Sequence, residues 1–83
     1  MKLYEVIGKE HTNFSGNMLL VTTMAQDRVY ANWGGEHGVQ SIRRISARSF
    51  NRLTAETMQL DSDFFGDVTI PKYRIVAWEN ESR

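Results

Sequence analysis

The sequence predicts a small soluble α+β domain: an antiparallel or mixed sheet of three to four strands with one helix packed on one face. Three observations carry this. Apolar and polar residues alternate near both ends of the chain, as in KLYEVIGK and YRIVAW. Between them, a long stretch repeats its apolar residues at helical spacing. The whole is 83 residues, which is one domain, 1–83.

Residues 2–9 read as the first strand. Leu3, Glu5 and Ile7 share one side, and Tyr4 and Val6 the other. HTNFSG, residues 11–16, is turn-rich. At 100° per residue, Met18, Val21, Ala25, Val29 and Trp33 then fall within about 120° of one another. This predicts a helix over 17–33, capped by Ser15 or Asn17 and stopped by Gly34-Gly35. A hairpin is the competing reading, because LLVTT has strand propensity.

β character resumes at Val39 in GVQSIRRIS. Residues 48–60 fit either element. A strand would place Arg52 and Glu56 among Phe50, Met58 and Leu60; a helix would group Phe50, Leu53, Thr57 and Leu60. The strand is preferred because the helix has no clear stop. DSDFFGD is a loop or turn, and 68–79 forms the last strand, which because of Pro71 begins at an edge or enters the sheet after it. The predicted core joins Val21, Ala25, Val29 and Trp33 of the helix to Val6, Ile42, Ile45, Ile75 and Trp78 of the sheet.

Composition excludes several function classes. There are no cysteines, which removes disulfides, thiol catalysis and zinc–thiolate sites and favours a reducing, cytoplasmic setting. The opening MKLYEVIGKE is charged and strand-like, unlike a signal peptide, and no apolar run is longer than that of Met18 to Val21, far too short to span a membrane. Serines occur without a nucleophile elbow. GGEHG follows the predicted helix, whereas phosphate loops open one. Glu10-His11 and Glu36-His37 lie in loops with no third ligand in view, and the segment opened by DSDFFGD lacks the glutamate at the twelfth position of a calcium loop. The expectation is a non-enzymatic protein without cofactor or metal.

The outstanding feature is charge. RRISARSFNR, residues 43–52, holds Arg43, Arg44, Arg48 and Arg52 and no acid, in a chain of net charge zero. A one-sign patch on a neutral body meets the opposite sign, within the molecule or in a partner. In a strand, Arg44 and Arg48 share a face, and Phe65 of the acidic turn supplies an aromatic anchor beside them. These residues are the predicted partner-binding surface. The expected partner is a protein, and the function an interaction module of the kind phages and mobile elements use to inhibit host machinery. The alternative is a nucleic-acid-binding accessory protein using residues 43–52. Against it stands a sequence pI near 6.7. Leu20, Met24 and Ala31 lie off the main stripe of the predicted helix and suggest a second interface, through which the chain would form a homodimer.

Overall fold

The computed structural model describes residues 1–60 and 66–78. It shows an α+β fold with a four-stranded mixed sheet, a separate two-stranded ribbon and three helical segments. β1 (Lys2–Gly8) lies in the middle of the sheet, antiparallel both to β2 (Gly16–Thr22) and to β3 (Val39–Arg44). β6 (Arg74–Trp78) adds to the far side of β2 in parallel, giving the order β3-β1-β2-β6.

The helix expected over 17–33 is instead a strand, a corner and a short helix. β2 takes Gly16–Thr22, and α1 spans only Gln26–Asn32. The sheet explains this. Both its faces are covered, so β2 is apolar on both sides; Met18, Leu19 and Leu20 are all buried. A strand of this kind loses its alternation and reads as a continuous apolar run. The expected helix stop does hold. Gly34 follows α1 in the left-handed region at φ 98°, and its N–H donates to the Ala31 carbonyl. A single turn, α2 (Gly35–Gly38), then leads into β3.

The strand preferred for 48–60 is also corrected. α3 spans Ala47–Thr54, and β4 occupies only Thr57–Leu60. Ser46 is the N-cap: its side-chain oxygen accepts from the Ser49 N–H at 3.1 Å. Phe50 and Leu53, three apart, turn to the sheet and leave Arg48 and Arg52 outside. The last strand is split in two. β5 (Val68–Pro71) pairs with β4, and β6 begins after Lys72–Tyr73.

Two apolar layers follow. α1 covers one face, where Val29 packs with Tyr4, Val6, Leu20 and Met24. α3 covers the other, where Leu53 packs with Leu19 and Tyr73. The expected single helix on a single face is therefore one helix on each. Leu20 and Met24, expected at a dimer interface, are 0% and 4% exposed and belong to the core. They offer no surface for the homodimer. Ile75, expected inside, is 54% exposed on the edge strand, and Ala25 is exposed at the start of α1. Trp78 meets Trp33 edge to face, with centroids 4.7 Å apart.

Candidate interaction surfaces

The arginines divide among three environments. Strand alternation sends Arg43 and Arg44 to opposite faces. Arg43 lies across from Glu5 of β1, and its Nε donates to Glu5 Oε1 at 2.5 Å. Arg44 emerges on the α1 side, its guanidinium 5.9 Å from the centroid of the Tyr4 ring. Arg48 and Arg52 stand one turn apart on the outer side of α3. Arg44 and Arg48 thus do not share a strand face as expected. Among the described residues, Arg44, Arg48 and Arg52 have no acidic partner within salt-bridge distance. Phe65 lies outside the described residues, as do Asp61 and Asp63; Asp67 is exposed.

Glu5 is the partner that sequence spacing missed. Its signal was available, since a lone acid among the apolar residues of a central strand needs a counter-charge. Glu5 is 9% exposed, and its carboxylate is held from two sides, by Arg43 at Oε1 and by the Tyr73 hydroxyl, which donates to Oε2 at 2.5 Å. Burial on its own raises a carboxyl pKa. The two hydrogen bonds, helped by the charges of Arg43 and Lys72, outweigh it and hold Glu5 below its ordinary value. Tyr73 is pushed up to about 12 by burial and by the hydrogen bond and negative charge of Glu5. The triad ties β3, β1 and the β5–β6 corner together.

The β4–β5 ribbon stands apart from this body. Its strands pack chiefly on each other. Met58 pairs with Ile70 and Leu60 with Val68, so one side of the ribbon is wholly apolar. The other side carries Thr57, Gln59, Thr69 and Pro71. None of these eight residues is charged. The apolar side is open: Met58, Leu60 and Val68 are 40%, 45% and 37% exposed. The ribbon's base is fastened by the Lys72 N–H to the Glu56 carbonyl at 2.9 Å and by Asn17 Nδ2 to the Lys72 carbonyl at 3.4 Å. The radius of gyration is 14.0 Å, against about 12 Å for a compact chain of this length.

No family model, curated protein or solved structure matches this chain. The surfaces must therefore be weighed by their own chemistry. His11 and His37 are exposed, and no group of three or more metal-ligating side chains occurs among the described residues. No helix among them is long and apolar enough to cross a membrane.

A cleft of about 310 Å³ opens on the α1 side of the sheet, between the β1–β2 loop and the start of β6. Phe14 and Trp33 give it aromatic walls, Asn13, Ser15 and Asn17 polar ones, and Arg74 a positive rim. The sequence reading passed over it, because its residues come from four separate stretches of the chain.

Proposed function

We propose that this protein is a non-enzymatic interaction module that docks on an apolar protein surface through the β4–β5 ribbon. The observation that carries the reading is the uncharged side formed by Met58, Leu60 and Val68, which are exposed, and half-buried Ile70. An isolated two-stranded ribbon is marginal in water, and an exposed, uncharged strand pair is a surface that natural proteins cover or blunt. Continuous exposed apolar patches mark interaction sites. A partner laid against this side would bury all four residues at once, without desolvating a single charge.

The test is the double variant Met58→Lys plus Leu60→Lys. It removes no core contact, so its melting temperature is expected within a few degrees of wild type. A partner captured by the wild-type protein, then reconstituted from purified components, should bind the variant at least tenfold more weakly, which is about 1.4 kcal/mol. Undiminished binding by the folded variant would move the interface off the ribbon. A wild-type dimer that the variant converts to monomer would replace the outside partner with a second copy.

A second reading rests on α3. Arg48 and Arg52 sit a turn apart beside Asn51, all three exposed. That spacing suits a phosphate backbone. Binding to mixed-sequence DNA or RNA that weakens steeply with added salt, and flattens in Arg48→Gln plus Arg52→Gln, would favour it.

A further inference from the structure

The β1–β2 loop is built with more care than a connection needs. Gly8 admits it at close range: a Cβ there would overlap the Phe14 carbonyl oxygen. The Phe14 ring lies against Gly34 and Gly38, where added Cβ atoms would stand 2.8 and 2.6 Å from ring carbons. Three glycines on two other segments thus leave room for one loop aromatic. His11 holds a left-handed φ of 66°, uncommon for a residue with a side chain. Thr12 Oγ1 donates to the Lys9 carbonyl at 2.8 Å and accepts from the Phe14 N–H at 3.1 Å. The Lys9 N–H donates to the Gly38 carbonyl, and Lys9 Nζ to the Glu36 carbonyl. Local strain and tight fastening of this kind set a loop in one shape, and a wall set in advance lowers the entropy lost on binding.

That wall faces the cleft. Phe14 and Trp33 offer apolar ring surface; Arg74, on edge strand β6, offers a guanidinium with no acidic partner among the described residues. Asn13, Ser15 and Asn17 add donors and acceptors between them. Pockets combine these parts, apolar ring surface with convergent polar groups and a charge, and here the polar share is the larger. The volume of about 310 Å³ lies at the small end of ligand sites, enough for one ring system and its substituent.

We propose that this cleft binds a small organic anion with a flat apolar body, its ring against Trp33 and Phe14 and its anionic oxygens on Arg74. The chemistry is common to an aromatic carboxylate and to a mononucleotide. The cleft adjoins the base of the ribbon, with which it shares Asn17, but the proposal does not depend on the ribbon's role.

The full chain, labelled with nitrogen-15, is titrated by NMR with benzoate, with adenosine monophosphate and with the neutral isostere benzamide. The expected result is a saturable shift of the Trp33 indole N–H and the Asn13 and Asn17 side-chain amides with at least one anion. Saturation by benzoate alone assigns the carboxylate; saturation by the nucleotide assigns the phosphate. Benzamide should bind about tenfold more weakly than benzoate, because it cannot take the charge-assisted hydrogen bonds. Arg74→Gln, at an exposed edge position, should keep the fold and lose about tenfold in affinity. Leu60→Lys, at the end of the ribbon away from the cleft, should leave the titration unchanged. The proposal is overturned if neither anion gives saturable shifts at these groups, if benzoate saturates and benzamide matches it, or if folded Arg74→Gln binds as wild type does.

Discussion

Glu5 shows how one side chain can bind distant parts of a small protein. Its carboxylate is the meeting point of Arg43 from an edge strand and Tyr73 from a corner far along the chain. Glu5→Ala would leave the Tyr73 hydroxyl buried without an acceptor, and such a group costs about 1–3 kcal/mol. Glu5→Gln keeps an acceptor and should cost less; chemical denaturation of the two variants checks the order. The pKa shifts give two pH limits. Glu5 titrates lower in the folded than in the unfolded chain, so its contribution is present above the unfolded value and is lost as pH falls through the folded one. Tyr73 titrates higher, so its contribution is complete below the usual tyrosine range and is lost as pH rises toward about 12. Tyr73→Phe should reduce the alkaline loss, read as melting temperature against pH, leaving the part due to Tyr4, which burial also raises.

At the scale of elements, the errors of sequence reading have physical causes. Met18–Leu20 resembled a helical stripe because a strand buried on both faces has no polar side. The helix was set aside for want of a clear stop, since α3 ends at Ala55 with no glycine or proline there, and its start rests on a single hydroxyl, Ser46. Ser46→Ala should therefore cost about 1 kcal/mol in global stability. Other features were plain: the alternation of β1, the glycine stop at Gly34, and the edge placement of Pro71. Val29 was also identified as core, and it is fully buried although its helix is less than half the expected length. Val29→Asp should unfold the domain, since an unpaired buried carboxylate costs several kcal/mol, a large share of what so small a chain holds. Asp27→Ala, on an exposed position of α1, should change stability by less than about 1 kcal/mol. Circular dichroism melts distinguish the two.

For the whole molecule, the candidate surfaces were legible only in part. The charge block 43–52 is visible in sequence, but its partition is not, because it depends on a strand, a cap and a helix following one another within a few residues. The ribbon's apolar side needs the pairing of Met58 with Ile70 and Leu60 with Val68, which a linear reading does not supply. The cleft needs the loop, α1 and β6 to be assembled. Charge therefore points to a surface here only after the fold has decided which arginines are spent internally. Arg43→Gln should lower stability measurably, because it removes a partner of a buried carboxylate, whereas Arg48→Gln and Arg52→Gln should be nearly neutral. Equal losses from all three would refute this partition.

The parallel joining of β6 to β2 also sets an order of assembly. β1 and β2 are closed by a short loop, and β3 returns to β1 after the two small helices. β6 reaches β2 only after α3 and the whole ribbon, pairing Arg74 with Met18. Loop-closure entropy rises with the length of chain enclosed, so contacts distant in sequence form late and slow the folding of the molecules that depend on them. The β3-β1-β2 portion should thus nucleate, and β6 should dock last and open first. Hydrogen exchange under native conditions would show this as early deuteration of Leu19, Leu20 and Val21 wherever their amides bond to β6, with the amides shared by β1 and β3 protected up to the global unfolding free energy. Both the cleft's positive rim and the corner that carries the ribbon sit at the start of this last strand, so loosening its far edge would release the two together.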